Sequence, residues 1–199
     1  GAEEENVCKY EVQAALNELL EMCLRRLALA EQLRLVREQI ISLRWLSVMS
    51  KGSISLVEDE PEILVMKAQC GLAPELLKMC ARVPFGRCMC GRAAAQKQVV
   101  HSHALDERHE HTYPSIEDHG HYCAPLVSSG EAIGVLNLYL AKDHEWQETE
   151  VRFLKAAAGV LAGVVERKRA EELLAGQLEV VERTVHGTVE AIGRILEVR

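Results

Sequence analysis

Histidine and cysteine residues cluster in three short stretches near the middle of the chain. The stretch DHGHYCAPL (118–126) places His119, His121 and Cys123 at alternate positions of a run that ends in apolar residues. Side chains at alternate positions of a strand lie on the same face of its sheet. Imidazole and thiolate groups are common ligands of zinc and iron in proteins. The spacing therefore indicates a metal site on one face of a strand.

The rise of a strand limits which of these side chains can share one ion. Alternate residues lie roughly 6.5–7 Å apart, whereas positions 119 and 123 are about 13 Å apart. Bonds from the ligands to the metal are only about 2.0–2.3 Å long. We therefore predict that His121 and Cys123 are a ligand pair, and that His119 binds the cofactor from beside that pair or belongs to a second site.

The second stretch, CMCG (88–91), contributes two thiols. Cys88 and Cys90 are predicted to lie on an irregular turn before a helix that opens near Cys90 or Gly91. The positive end of a helix dipole favours the thiolate form of a nearby cysteine. An extended turn would let both sulfurs face one ion, whereas residues two apart in a helix diverge. Both cysteines are therefore predicted metal ligands.

The third stretch is a polar loop, LDERHEHTYPSIED (105–118), which is longer than most connections and is therefore a candidate functional loop. His109 is predicted to close the metal site as a lid. Asp106 or Glu107 is predicted to accept a hydrogen bond from a metal-bound imidazole, as carboxylates commonly do. The complete set of predicted metal ligands is Cys88, Cys90, His109, His121 and Cys123.

The periodicity of apolar residues predicts the elements that hold these stretches. Residues up to about 45 have the periodicity of one helix, alternation over SISLVE and ILVMKAQ predicts a hairpin, VPFGRCMC is predicted to be irregular, and a second hairpin includes HGHYCAPLVSS and AIGVLNLYLA. We predict an α+β fold, an antiparallel sheet with helices on one face and a ligand-sized gap on the other. Its predicted segments are an N-terminal helical segment (1–48), the sheet core (49–145), a C-terminal signalling helix (146–180) and the start of a further helical domain (181–199).

The C-terminal segment has the pattern of a helix that pairs with another helix. Leu174, Leu178, Val181 and Val185 follow near-heptad steps. Five glycines between 159 and 193 would weaken the same helix in isolation. We therefore predict a homodimer formed through the terminal helices.

Charge and composition exclude several classes of partner. The net charge is −7, and the sequence has no basic cluster of the kind that nucleic acids or anionic membranes require. The apolar runs are too short to span a bilayer. Seven cysteines are an odd number and do not suggest a secreted disulfide framework. A cytoplasmic protein with reduced thiols is expected.

From about Leu16 to Lys168, the sequence resembles a GAF domain, the small-molecule sensor module of bacterial signalling proteins. The resemblance is to a subgroup with the motifs FGRCMCGRAAA, DERHEH and HGHYCAPL. The tail VERTVHGTVEAIGRILEVR (181–199) resembles the first helix of an HD-GYP domain, a metal-dependent cyclic di-GMP phosphodiesterase. The resemblance implies a sensor without catalytic residues of its own, since those of an HD-GYP domain would lie beyond Arg199. GAF modules also precede histidine kinases and diguanylate cyclases, which are alternative outputs.

A sensor role, which the resemblance implies, favours iron or an iron–sulfur centre as the cofactor over zinc, because zinc has no redox chemistry. Haem is disfavoured, since the sequence has no Cys-x-x-Cys-His attachment motif. Alternatives are a thiol redox switch, a pocket for an organic ligand or cyclic nucleotide, and a dimerisation spacer with a filled core. An enzymatic alternative is a methionine sulfoxide reductase that uses Cys88 and Cys123.

Overall fold

The computed structural model describes residues 2–197, and it describes the side chains of residues 9–194. Gly1 and residues 198–199, which belong to the predicted terminal segments, lie outside the described residues. In chain order the elements are α1 (Ala2–Leu24), α2 (Leu29–Ser42), β1 (Val48–Val57), β2 (Ile63–Cys70), α3 (Pro74–Met79), β3 (Arg82–Pro84), α4 (Cys88–Gln96), β4 (Val100–Ser102), β5 (His119–Ser128), β6 (Glu131–Ala141) and α5 (Glu148–Glu197).

The strands form one antiparallel sheet in the order β3-β2-β1-β6-β5-β4. Helices pack on this sheet, and long helices precede and follow it in the sequence. The predicted α+β class is therefore confirmed. Both predicted hairpins, β1–β2 and β5–β6, are present. Strand β3 was missed because three residues that end in proline carry no alternation of apolar and polar side chains.

The N-terminal segment contains two helices, so the expectation of one helix was wrong. Helix α1 ends at Leu24 and α2 begins at Leu29. The buried side chain of Gln32 donates hydrogen bonds to the carbonyls of Cys23 (3.1 Å) and Arg25 (2.8 Å). These carbonyls lie at the end of α1, where a helix leaves its last carbonyls without helical partners. The apolar stripe continues in phase across the break, so periodicity did not reveal it.

Successive residues of β5 point to opposite faces of the sheet, which have different environments. The Tyr122 hydroxyl donates to Glu150 in the first turn of α5, whereas Cys123 contacts Cys90 of α4 on the opposite face. This opposite face is the one predicted to hold a ligand-sized gap. Instead, α4 and the loop between β4 and β5 lie over it, and a cavity of about 20 Å³ is left between them and the sheet.

The chain divides into two compact units, residues 1–164 and residues 165–199. The predicted boundary between residues 180 and 181 lies inside the single helix α5. In the second unit every described side chain from residue 169 to residue 194 is exposed. None of the helices among the described residues is long and apolar enough to cross a membrane.

Candidate metal centre

Three buried imidazoles meet on the α4 side of the sheet. His119 and His121 come from β5, and His109 comes from the loop between β4 and β5. One ring nitrogen from each lies within 4.8 Å of the other two. The three residues are only 7%, 6% and 2% exposed, in the order His109, His119 and His121. Among the described residues, this is the one group of three or more histidine, cysteine or acidic side chains that meets in this way.

Hydrogen bonds at Nδ1 orient the rings of His119 and His121. Nδ1 of His121 lies 2.9 Å from Oδ1 of Asn137 in β6, and Nδ1 of His119 lies 2.6 Å from the carbonyl oxygen of Glu117. Because both partners are acceptors, each Nδ1 carries the proton and donates it. The lone pair of a neutral ring is then on Nε2, the arrangement that proteins commonly use to orient metal-bound histidines.

Each of the three rings also has a buried nitrogen that no protein group satisfies. These atoms are Nδ1 of His109 and Nε2 of both His119 and His121. Buried polar side-chain atoms in folded proteins nearly always have a hydrogen-bond partner. Three such nitrogens in rings that contact one another are a set of donors that could bind a metal ion.

Burial keeps the three rings neutral, which is the form that binds a metal. Loss of hydration lowers the pKa of His109 to about 4, and His119 adds to this effect. Burial also lowers the pKa of His119. The pKa of His121 lies well below its usual value because of burial and because of the neighbouring His109 and His119 rings. Protons therefore compete weakly with a metal ion at neutral pH.

The spacing of the nitrogens can accommodate an ion after a small adjustment. Bonds of about 2.0–2.1 Å in a tetrahedral arrangement place two ligand nitrogens roughly 3.3 Å apart. The observed limit of 4.8 Å would therefore shrink by up to about 1.5 Å, which rotation of the side chains can supply. Three protein ligands leave a fourth position for water or a small molecule, as in catalytic zinc sites.

Tyr139 of β6 forms an aromatic wall of the site. Its ring stacks on His119, with centroids 4.8 Å apart, and meets His121 edge-on at 4.4 Å. Burial raises the pKa of this phenol, so Tyr139 stays protonated at neutral pH. The cavity beside it is lined by His109, His121, Asn137 and Tyr139 among other residues, and its volume of about 20 Å³ holds little more than one water molecule.

The predicted thiol ligands lie near the histidines but form a separate contact. Sγ of Cys90 lies 3.8 Å from Sγ of Cys123, which is also 3.4 Å from Oδ1 of Asn137. Helix α4 begins at Cys88 rather than near Cys90, so Cys88 and Cys90 lie two apart in a helix, where side chains diverge. The structure thus brings His119 to His121 and pairs Cys123 with Cys90.

The thiols of Cys80, Cys88 and Cys90 are protonated at neutral pH. The hydrogen bond with Cys123, followed by burial, raises the pKa of Cys90 well above its usual value. Burial also raises the pKa of Cys88, and it raises that of Cys80 to about 12. The expected activation of thiolates by the beginning of α4 is therefore outweighed by the hydrogen bond with Cys123 at Cys90 and by loss of hydration at Cys88.

Asp106 and Glu107 are exposed, and the contacts of Asp106 differ from the one predicted. The carboxylate of Asp106 pairs with Arg108 at 2.5 Å, and its carbonyl accepts the backbone N–H of His109 at 2.9 Å. Asn137 and the Glu117 carbonyl orient the imidazoles instead. The signal for Asn137 was present in the sequence, as a polar residue within the apolar strand AIGVLNLYLA, whereas a backbone carbonyl has no such signal.

Glu110 attaches the loop that carries His109 to the beginning of α4. Its carboxylate accepts the backbone N–H of Cys88 at 3.1 Å and pairs with Arg87 at 2.6 Å. Because Glu110 directly follows His109, this attachment helps to hold His109 over the sheet. Glu110 was not among the predicted site residues.

Comparison with known proteins gives the family. Residues 27–166 match the model of the GAF domain family, so the chain belongs to the GAF family, and the fold resemblance drawn from the sequence is confirmed. GAF domains are ligand-binding regulatory domains, and the chain is accordingly a GAF sensor domain. No curated protein sequence matches it significantly.

Solved structures share this fold at low sequence identity. The GAF domain of a phosphoenolpyruvate-protein phosphotransferase from Coxiella burnetii is 21% identical, with a TM-score of 0.71 over 82% of this chain and 98% of that chain. A free methionine-R-sulfoxide reductase from Neisseria meningitidis in complex with its substrate is 22% identical, with a TM-score of 0.66 over 80% and 91%. The GAF domain of A. aeolicus nlh2 in an inactive state is 16% identical, with a TM-score of 0.64 over 81% and 99%.

Proposed function

We propose that this GAF domain senses its signal through a transition-metal ion held by His109, His119 and His121. The observation that carries the proposal is the convergence of three buried, neutral imidazoles, each with a nitrogen that no protein group satisfies. Imidazole ligands suit iron and zinc. Iron fits a redox or gas-sensing role better, because zinc has no redox chemistry.

The geometry favours a single ion over the larger cofactors that the sequence left open. An iron–sulfur cluster is usually held by thiolates, whereas the converging donors here are nitrogens. Pockets for haem-sized or nucleotide-sized ligands occupy several hundred Å³, compared with about 20 Å³ beside these histidines. A small ligand at the fourth metal position fits the space.

The signal has a short route from the metal to α5. Tyr122 lies between His121 and Cys123 in β5, and its hydroxyl donates to Glu150 at 3.1 Å. A change of charge or ligand at the metal would move His121, and with it the strand that positions Tyr122. We propose that this shifts α5 between two arrangements in a homodimer.

Metal analysis of anaerobically purified protein tests the first step. We expect about one iron or zinc per chain, and His119→Ala or His121→Ala should weaken metal binding by at least about 100-fold. His103→Ala is the matched control, since His103 is exposed and close in sequence. Absence of metal, or equal losses in control and ligand variants, would contradict the proposal.

The proposed output is a cyclic di-GMP phosphodiesterase of the HD-GYP type, on the basis of residues 181–199 and their resemblance to its first helix. The test joins this chain through residues 181–199 to an HD-GYP catalytic domain and measures cyclic di-GMP hydrolysis with and without the metal. If the hydrolysis rate does not respond to the metal or to His121→Ala, the metal site does not regulate the phosphodiesterase.

An enzymatic role is the second candidate, since some structural neighbours are free methionine-R-sulfoxide reductases. The pair expected for such an activity was Cys88 with Cys123, and the contact in the structure joins Cys90 with Cys123. Turnover of free methionine-R-sulfoxide with a thiol reductant distinguishes the two roles. A sensor binds metal and shows no turnover.

A further inference from the structure

We infer that Cys90 and Cys123 form a redox-active dithiol that closes to an intramolecular disulfide between α4 and β5. The two sulfurs lie 3.8 Å apart, although the residues are 33 positions apart in sequence. Both are free thiols in the structure. The tertiary fold has therefore brought together two cysteines outside the converging histidine group.

Closing the bond requires little movement. A disulfide has an S–S distance of about 2.05 Å, so the sulfurs must approach by about 1.8 Å, which changes in the side-chain torsions can supply. Cys123 is fully buried and its sulfur lies against Asn137. Cys90 is only half-buried and lines the cavity beside the sheet. Cys90 is thus the thiol that a small oxidant meets first.

The oxidant class that this step requires is a small two-electron oxidant, and hydrogen peroxide represents it. The sulfur of Cys90, after losing its proton, attacks one peroxide oxygen, which breaks the O–O bond, gives a sulfenic acid and releases one water. The sulfur of Cys123 then attacks the sulfenic sulfur, the S–S bond forms, and the hydroxyl leaves as a second water. In total, two thiols and one peroxide give one disulfide and two waters.

The proposed disulfide lies next to the histidine cluster, because Cys123 and His121 contact the same side chain. Oδ1 of Asn137 lies next to both Sγ of Cys123 and Nδ1 of His121. Oxidation removes the S–H donor and leaves Asn137 to His121 alone. An effect on a bound metal rests on the proposed function, whereas the disulfide itself does not.

Peptide mapping of the metal-free full chain tests the disulfide directly. After one equivalent of hydrogen peroxide, alkylation and trypsin digestion, we expect peptide 88–92 (CMCGR) linked to peptide 109–142, which contains Cys123. The protein should lose two titratable thiols and the mass of two hydrogen atoms, and a reductant should restore both. Cys88→Ser should retain the link and Cys90→Ser should lose it.

Fragment ions of the linked peptide from the unmodified chain separate Cys88 from Cys90, so the result does not depend on a variant that folds poorly. A link through Cys88, links between chains only, or two thiols that persist in excess peroxide would overturn the inference. Because the experiment uses metal-free protein, its failure would leave the histidine metal site untouched. Absence of a bound metal in the anaerobically purified protein, which would contradict the proposed function, would likewise leave the disulfide untouched.

Discussion

At the scale of single residues, the hydrogen bonds of the site determine which ring nitrogen of each histidine is free to bind a metal. The Asn137 amide and the Glu117 carbonyl fix two rings in the tautomer that frees Nε2. His109 has no such orienting acceptor among its described contacts, and its Nδ1 is buried without a partner. His119 and His121 are thus held in place in advance, and His109 completes the group from the loop.

Replacing Asn137 should weaken metal binding without removing a ligand. In Asn137→Leu the His121 ring loses the acceptor that holds its proton on Nδ1, so we expect the metal affinity to fall by about 10–100-fold. Asn137→Asp retains an acceptor and should keep more of the affinity. Competition titration with a chromophoric zinc chelator measures both. Equal affinity of the wild type and Asn137→Leu would show that the amide has no orienting role.

The metal-free protein should lose stability as the pH falls. An unfolded histidine has a pKa near 6.5, and burial lowers the folded pKa of His109 to about 4. The unfolded state therefore binds more protons between these values, so the stability that is present above about pH 6.5 is lost as the pH falls towards 4.

Urea unfolding between pH 7.5 and pH 4.5 measures this loss. In His109→Gln the slope of the unfolding free energy against pH should be smaller by up to about one bound proton. Carboxylates are present in both proteins, so the difference reports on His109 and on the His121 ring whose pKa His109 lowers. An unchanged slope would mean that His109 is solvated in the folded protein.

At the scale of elements, one buried carboxylate connects the sheet to the beginning of α5. Glu150 accepts hydrogen bonds from the backbone N–H of Ser47 (2.9 Å), from the Tyr122 hydroxyl (3.1 Å) and from Nε2 of His144 (2.7 Å). It is only 4% exposed. Three buried or partly buried donors from separate parts of the chain therefore share Glu150 as their hydrogen-bond acceptor.

Removal of this carboxylate should destabilise the domain strongly. Glu150→Ala leaves three donors without their acceptor in a buried site, and we expect a loss of about 2–4 kcal/mol in the free energy of unfolding. Glu148→Ala is the control, since Glu148 lies in the same helical turn and is exposed. Its effect should stay within about 0.5 kcal/mol. Urea denaturation measures the free energy of unfolding of both variants. Similar losses for the two would show that Glu150 does not connect the sheet to α5.

At the scale of the whole molecule, the second unit presents an apolar stripe. Leu174, Leu178, Val181 and Val185 are 56–67% exposed, and the stripe continues to Val189 and Ile192. Exposed apolar residues at heptad-like spacing are typical of a helix that pairs with another helix. A second copy of the same chain supplies an identical stripe, which supports the proposed homodimer.

Two adjacent valines provide a matched test of this pairing. Val180 and Val181 are 60% and 57% exposed, but they lie about 100° apart around the helix, and only Val181 belongs to the stripe. Val181→Glu should raise the dimer dissociation constant by at least about tenfold, because pairing would then bury a charge. Val180→Glu should have little effect. Sedimentation equilibrium measures both, and equal effects would exclude pairing through this stripe.

Much of the architecture follows from local patterns. Alternation in SISLVE and ILVMKAQ predicts the β1–β2 hairpin, and the shared face of His119, His121 and Cys123 follows from the two-residue repeat of a strand. The break between α1 and α2 does not follow, because it depends on a hydrogen bond from Gln32 to carbonyls seven and nine residues away. Periodicity describes one face of an element and contains no information about such contacts.

The sequence alone determined the class of fold, the GAF resemblance and the presence of more potential metal ligands than one ion needs. Only the tertiary structure decided which of them meet. His109 reaches the strand because the loop is attached through Glu110 to the beginning of α4, and Cys90 turns to Cys123 because α4 begins at Cys88. Convergence in space depends on contacts between distant segments, and the spacing of residues along the chain does not encode them.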